Sequence, residues 1–282
     1  YDFVSRDWSS DVCSSDLIAD HQFQFGKFAE AEQGYRRLFE NTNRLANARG
    51  LEWEARLNAG RSAFFRQEHA AAELLLASVI NATNAPVAEQ ARAEFFLGDV
   101  AADQTQRTPT NLLDALPHYQ RVANEMIGSP LHPLAWGRVG DCYLQLGNLG
   151  LAADAYRAVT ELPGTDVTTR SQAGLGLARV LEEQAALVGE TEEREELLQQ
   201  SLHQCMNIVF GDNLRSASEK MDPFWVKEAG LMAGHLAGRL GRADQERSVY
   251  SRLAKELPDM PLWQAKPEIG SASCRERVEI PV

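Results

Sequence analysis

The chain has 282 residues and a formal net charge of −12 at pH 7, from 28 Lys and Arg residues against 40 Asp and Glu residues. This acidic composition disfavours binding to a nucleic-acid backbone, which needs clusters of basic side chains. No apolar run reaches the roughly 18 residues of a membrane-spanning helix.

Histidine and cysteine usage indicates neither a metal site nor a disulfide framework. The six histidines are scattered without ligand spacing, and the cysteines do not form a zinc pattern. Cys142 and Cys205 fall in apolar helical stretches and are predicted to be small core residues. We therefore expect no metal and no cofactor.

Both ends of the chain match translated sequencing adapters. Residues 7–17 are identical to a one-frame translation of a widely used library adapter, and residues 269–278 match the companion adapter at every position except Ser271. The alternative is a natural Ser- and Asp-rich linker. We predict that 1–17 and 269–282 are adapter-derived artefacts, and that 18–268 is an internal fragment of a natural domain.

Between these ends, small and apolar residues recur with the spacing of helix faces, and strand patterns are absent. The first pair of helices is recognised by its second member, which follows a turn at Gly26. Its packing residues are Ala31, Tyr35 and Leu38.

The second and third pairs repeat this arrangement. In the second pair, Gly60 on the first helix is matched by Leu76 on the second. In the third, Gly98 is matched by Tyr119 after a longer turn through 103–110. Pro117 is predicted to lie in the first turn of its helix, where a missing N–H costs little.

The fourth pair, residues 136–159, carries the most specific pattern, W-x2-V-G-x2-Y-x8-A-x3-Y-x2-V. Gly140 and Ala152 are placed where two helices approach closely, and Gly147 ends the first helix. The pattern residues are Trp136, Val139, Gly140, Tyr143, Ala152, Tyr156 and Val159.

The fifth and sixth pairs are less regular. The fifth has an acidic insertion around 189–196, and its Gly174 and Gly176 are interpreted as helix-contact residues rather than a nucleotide-binding loop. In the sixth, Glu246 stands where a small residue is expected, so this hairpin is predicted to be splayed or atypical.

The pattern of the fourth pair resembles the tetratricopeptide repeat, a helical hairpin that stacks on copies of itself. The resemblance extends over 18–268 and implies an all-α fold, a right-handed α-α superhelix of about six hairpins. Bacterial envelope-assembly and cell-division accessory proteins have similarly irregular repeats. The compartment stays open between the bacterial cytoplasm and periplasm.

In tetratricopeptide-like proteins, partners usually lie in the concave groove formed by the first helix of each hairpin. The family's Lys–Asn–Arg clamp for a C-terminal carboxylate is not reproduced, because Arg61, Asp99 and Asp141 stand at the corresponding places. Carried over by register, the resemblance implies a groove of aromatic and polar side chains: Leu57, Arg61, Phe64, Phe65, Phe95, Asp99, Asp141, Leu144, Gln145, Arg179, Glu182, His235 and Arg239.

No catalytic motif accompanies these groove residues: there is no nucleophile elbow and no H-E-x-x-H sequence. We therefore predict a non-catalytic scaffold that binds a peptide or helix of a partner protein. One alternative is the substrate- or partner-binding arm of a larger enzyme whose catalytic domain lies outside this fragment. A second alternative is a self-assembly module, and the oligomeric state is left open.

Overall fold

A computed structural model describes residues 11–40, 51–104 and 111–257, apart from the side chains of 11–16 and 104. These ranges contain α-helices and no β-strand, which confirms the all-α prediction. None of the described helices is long and apolar enough to cross a membrane. The helices are α1 (Asp11–Gln24), α2 (Phe28–Glu40), α3 (Leu51–Phe65), α4 (His69–Ile80), α5 (Val87–Gln104), α6 (Asn111–Glu125), α7 (His132–Gln145), α8 (Leu149–Glu161), α9 (Val167–Leu187), α10 (Glu192–Phe210), α11 (Pro223–Arg239) and α12 (Ala243–Glu256).

The chain divides into two compact units, Tyr1–Ala135 and Trp136–Val282. In the first unit α1 pairs with α2, α3 with α4 and α5 with α6, and each hairpin packs on the next. In the second unit α9 pairs with α10 and α11 with α12, and α8 packs on α9. Helices α7 and α8 meet where Gly140 faces Tyr156. The six predicted hairpins are thus present. The C-terminal stretch 258–282, which includes the second predicted adapter, lies outside the described residues.

Large side chains from the second helices fill the space between the helices of each hairpin. Tyr35, Tyr119 and Tyr156 are each only 1% exposed, and Leu76 is fully buried at the equivalent place. These residues were predicted to be packing residues, and their burial confirms the prediction. Burying aromatic rings of this size contributes several kcal/mol each relative to truncation.

Glycine residues allow these side chains to approach the first helices. A Cβ atom on Gly140 would lie 2.7 Å from the Tyr156 ring, and one on Gly176 would lie 2.5 Å from the same ring. A Cβ on Gly174 would meet Ile208 at 3.4 Å. The interpretation of Gly174 and Gly176 as helix-contact residues is therefore confirmed.

Helix α6 departs from the prediction at Pro117, which is the seventh residue of the helix rather than part of its first turn. The helix extends back to Asn111 because Leu112 and Ala115 join Tyr119 in one buried face. Pro117 cannot donate to the carbonyl group of residue 113. The side chains of Leu113 and Pro117 lie on the exposed face of the helix, so water can donate a hydrogen bond to the Leu113 carbonyl group.

The sixth hairpin is closed, so of the two predicted alternatives, splayed or atypical, the first was wrong. A Cβ on Gly230 would lie 2.6 Å from Leu253, and the Tyr250 hydroxyl group lies directly against Gly234. Glu246 fits because Gly238 stands opposite it: a Cβ there would be 3.7 Å from the Glu246 carboxylate. Small residues on α11 accommodate the larger side chains of α12.

The acidic insertion of the fifth hairpin is largely the start of α10. Thr191 caps this helix by accepting a hydrogen bond from the Arg194 N–H group, and acidic residues fill the first turn. Carboxylates are favourable there because they face the positive end of the helix dipole.

The connector from α10 to α11, residues 211–222, is held in place by one buried arginine. Arg170 Nη2 lies 2.6 Å from Glu219 Oε2 and 3.0 Å from the Asn213 carbonyl oxygen. The Arg170 side chain is only 4% exposed and also donates to the Thr165 carbonyl group. The hydrogen bond from Arg170 and a second one from the Arg215 backbone N–H group lower the pKa of Glu219, since both favour its charged form.

Candidate partner-binding surfaces

In the first unit, tyrosine hydroxyl groups reach from the second helices to carboxylates on the first helices. Tyr35 donates to Asp20 Oδ1 over 2.6 Å, and Tyr119 donates to Asp99 Oδ1 over 2.7 Å. Asp99 directly follows Gly98, which packs against the Tyr119 ring, and Asp20 directly follows Ala19, which packs against Gly34. Asp99, a predicted groove residue, is therefore held in one position by its own hairpin.

Arg61 occupies the equivalent place on α3, between two aromatic rings. Its guanidinium carbon lies 5.0 Å from the centre of the Phe23 ring and 4.8 Å from that of Phe96. Its Nη1 donates to Asn58 Oδ1 over 3.3 Å. Burial, followed by repulsion from Arg92, lowers the pKa of Arg61. The guanidinium stays charged because an arginine pKa starts far above neutrality.

Four phenylalanine side chains form a partly exposed aromatic cluster in the first unit: Phe23, Phe28, Phe64 and Phe65. Phe65 stacks on Phe28 with 5.0 Å between ring centres. It also contacts Phe23 and Phe64, each at 5.5 Å. Phe65 is nevertheless 50% exposed. Phe64 is half-buried and packs against the hydrophobic core.

Two residues predicted for the groove are core residues instead. Leu57 is fully buried, and Phe95 is 7% exposed with its ring edge-on to Tyr119 at 5.4 Å. Each lies three residues before the glycine at the helix contact, Gly60 or Gly98, and so shares the face that turns toward the second helix. Neither side chain is available to a partner.

In the second unit, Tyr156 on α8 donates to Asp141 Oδ1 on α7 over 2.7 Å. Burial raises the pKa of Asp141, and the Tyr156 hydroxyl group and Arg138, 3.6 Å from Oδ2, partly oppose that effect. Burial and the adjacent carboxylate raise the pKa of Tyr156, so its hydroxyl group stays protonated and acts as the donor.

Glu182, His235 and Arg239 form a second-unit charge cluster on α9 and α11. Arg239 Nη1 pairs with Glu182 Oε1, and His235 Nδ1 lies 4.0 Å from the same oxygen. The Arg179 side chain is exposed and forms no hydrogen bond or ion pair within the described ranges, and its charge acts on Asp141. The structure thus brings together three of the residues predicted for the groove, Glu182, His235 and Arg239.

The two remaining predicted residues of this unit lie at the end of α7. Leu144 is half-buried and packs against the core around Tyr156, whereas Gln145 is exposed. Cys142 and Cys205 are both buried, as predicted, and burial raises the pKa of Cys205 to about 12. Within the described ranges, no group of His, Cys, Asp and Glu could hold a metal ion.

Sequence reasoning missed Phe23, Phe28 and Phe96, which surround Arg61 and Phe65. A signal for Phe23 was present, because it follows Ala19 by four residues as Phe64 follows Gly60. That register was not carried into α1, since this helix was treated as interrupted by adapter sequence. Phe28 and Phe96 fall outside the register that defined the groove.

No protein-family model and no curated protein matches the sequence. Solved structures do match. BtubC (BKLC) from P. vanneervenii is 11% identical over 97% of this chain and 98% of that chain, with a TM-score of 0.54. The fold is a tetratricopeptide-like array of helical hairpins. At this identity the likeness concerns the fold alone.

Two further structures are similar at lower TM-scores. The C-terminal part of a TPR repeat-containing protein from Cytophaga hutchinsonii is 12% identical over 91% of this chain and 99% of that chain, with a TM-score of 0.37. The TPR2AB domain of yeast Sti1 in complex with pHSP90 is 11% identical over 92% of this chain and 95% of that chain, with a TM-score of 0.30.

Proposed function

We propose that this chain is a non-catalytic scaffold that binds a peptide or helix of a partner protein. The exposed half of Phe65, held in the aromatic cluster of the first unit, is the observation that carries the proposal. Partly exposed aromatic clusters of this kind are typical of interaction sites, where large rigid rings supply most of the binding energy.

The aromatic cluster is ordered before any partner arrives. Phe65 is stacked on Phe28 and touched edge-on by Phe23, so its ring has little freedom left to lose on binding. Such preorganisation lowers the entropic cost of association. Arg61, fixed beside Phe23 by cation–π contacts, adds a charged group next to the apolar surface. A partner segment that presents an apolar side chain between polar side chains fits this surface.

A non-catalytic role is supported by the way the candidate acid–base groups are engaged. The carboxylates of Asp99 and Asp141 accept hydrogen bonds from tyrosines of their own hairpins. Cys205 is buried, with a pKa of about 12, so its thiol stays protonated near neutral pH. Each of these groups has a structural explanation within its own hairpin.

The proposal can be tested by affinity capture from a lysate of the source organism with quantitative mass spectrometry. We expect Phe65→Ala to reduce recovery of a specific partner at least tenfold, equivalent to about 1.4 kcal/mol. Leu74→Ala is the matched control, since Leu74 is 73% exposed on α4, away from the aromatic cluster. Circular dichroism establishes that both variants stay folded. Equal recovery by the wild type and Phe65→Ala would remove the aromatic cluster as the binding site.

We also propose that residues 1–17 and 269–282 are adapter-derived. Leu17, the last residue of the first predicted adapter segment, is 53% exposed, so its side chain contributes little packing to α1. Sequencing the natural gene across both ends tests this proposal. The same sequence would reveal a flanking catalytic domain, as expected if this chain is the partner-binding arm of an enzyme.

A further inference from the structure

A groove in the second unit lies between α8 and α10, the second helices of successive hairpins, and has a volume of about 480 Å³. Leu177 and Leu181 of α9 form its base, and each is only 6% exposed. Arg157 of α8 and a row of polar side chains of α10 form its walls. A small apolar ligand fits this groove poorly, because sites for such ligands are lined mainly by apolar side chains.

Two side-chain amides stand out on the α10 wall. Gln200 and Gln204 both line the groove and are four residues apart, so they lie one above the other on the same side of the helix. The half-buried Gln204 amide forms no hydrogen bond within the described ranges. Gln200 donates to Glu196 Oε1 over a long 3.3 Å, which leaves its own carbonyl oxygen unused. Each amide can both donate and accept hydrogen bonds.

The formal charges that line the groove already have partners. Arg157 Nη1 donates to Asp154 Oδ1 over 2.9 Å, and Glu196 accepts the bond from Gln200. One arginine and one glutamate therefore balance each other across the groove, and exposed ion pairs contribute little to affinity. An acidic or basic segment gains no clear advantage over a neutral one. Recognition here falls to the amide groups.

The spacing of the two amides matches the main chain of an extended segment. Four residues along an α-helix span about 6 Å. Two residues of an extended chain span about 6.6 to 6.8 Å. Gln200 and Gln204 can therefore reach two peptide groups that face α10, each donating to a carbonyl group and accepting from an N–H group. Bonds of this kind supply affinity whatever the side chains of the bound segment.

We propose that the groove lined by Gln200 and Gln204 binds an extended segment of a partner protein through its main chain. This inference goes beyond the scaffold function proposed above, because it concerns the second unit and does not depend on the aromatic cluster. It also names the groups that are recognised: the N–H and C=O groups of alternate residues of the segment.

A display library of random segments of about ten residues, inserted within a carrier protein, tests the proposal. We expect a class of segments whose recovery falls at least tenfold on the Gln200→Ala, Gln204→Ala double variant. Gln33→Ala, at an exposed amide of α2 outside the groove, should leave the recovery of that class unchanged. The class should be depleted in proline, which has no N–H group, and should show no excess of either charge.

N-methylation of one synthetic segment from this class provides a measurement on the wild-type chain. An extended chain directs successive N–H groups to opposite sides. Methyl groups on one alternating set of main-chain nitrogens should therefore weaken binding at least tenfold, whereas those on the intervening nitrogens should have little effect. Calorimetric titration measures both sets.

Equal recovery on the double variant and the wild type, enrichment in one charge, or methylation effects without this alternation would overturn the inference. None of these results touches the scaffold function, which rests on Phe65 and is tested by Phe65→Ala. A failure to select any segment above background would count against both. Thermal unfolding of the double variant should match that of the wild type. If it does not, the methylation series on the wild type decides.

Discussion

The hydroxyl group of Tyr156 on α8 donates to Asp141 on α7 over 2.7 Å, while the tyrosine ring fills the space between Gly140 and Gly176. One side chain therefore joins the two helices of its own hairpin and touches the first helix of the next. Its ring supplies the packing, and its hydroxyl group fixes a carboxylate on the candidate binding face.

Gly140→Ala should destabilise the second unit. The added Cβ would stand 2.7 Å from the Tyr156 ring, closer than normal contact allows. The expected loss is about 1–3 kcal/mol in the free energy of unfolding, as for other overpacked cores, measured by urea denaturation. Gly137→Ala on the same helix is the control, because its Cβ would meet nothing within 4 Å. It should be neutral or stabilising by up to about 1 kcal/mol, since Ala favours helices over Gly.

Two substitutions of Tyr156 should separate packing from hydrogen bonding. Tyr156→Ala removes a ring that is 1% exposed and should cost about 3–5 kcal/mol. Tyr156→Phe keeps the ring but leaves Asp141 without its donor, which should cost about 1–3 kcal/mol. Calorimetric or denaturant unfolding measures both. Equal losses for the two variants would contradict the separation of roles.

The stability of the protein should depend on pH through Asp141. Burial raises the pKa of this carboxyl group, so the folded chain binds the proton more tightly than the unfolded chain does. This contribution is fully present below the unfolded pKa of about 3.9 and is lost as the pH rises through the folded pKa. The substitution Asp141→Asn removes this pH-dependent contribution to the stability.

The free energy of unfolding of the wild type minus that of Asp141→Asn should therefore fall as the pH is raised from about 3.5 to 6.5. Urea titrations across this range measure the difference. Asp154→Asn, at a carboxylate that is 72% exposed, controls for the loss of one acidic group. If the difference instead grew with pH, the Tyr156 hydrogen bond would lower the pKa of Asp141 by more than burial raises it.

Arg170→Ala should release the connector 211–222. The substitution removes the buried partner of Glu219 and two bonds to the Asn213 carbonyl group. The expected cost is about 3 kcal/mol, with faster proteolysis within the connector. Arg157→Ala, at an exposed arginine paired with Asp154, should cost less than about 0.5 kcal/mol and leave the cleavage rate unchanged.

Sequence spacing was sufficient for the hairpins because their packing depends on local pairs such as Gly140 and Tyr156, which recur at similar separations. Sequence spacing was not sufficient for contacts between residues that lie far apart in the sequence. Arg170 reaches Glu219 across 49 positions, and no short-range pattern marks such a pair. Pro117 misled the prediction of the helix start, because an exposed proline inside a helix is tolerated more easily than a buried one.

The candidate surfaces were predictable only in part. Register placed Asp141, Arg179 and His235 correctly on the first helices, since each follows the small residue at a helix contact. The register did not show which residues near the small contact residue face the second helix. Leu57 and Phe95 were therefore assigned to the groove, although both are buried. The rings around Arg61 come from α1 and α5, and only the three-dimensional packing brings them together.

Hydrogen-bonding tyrosines occur in some hairpins and not in others. Where the second helix carries Tyr35, Tyr119 or Tyr156, the residue that faces it is an aspartate locked by a hydroxyl group. In the second and fifth hairpins, Leu76 and Cys205 have no hydroxyl group to offer, and the facing residues are the arginines Arg61 and Arg179. In these five hairpins the buried residue of the second helix therefore goes with the type of residue that faces it, an aspartate held by a tyrosine hydroxyl group or an arginine beside a side chain without one. Substituting the buried residue, as in Tyr156→Phe, should thus alter the candidate binding surface from within the hairpin.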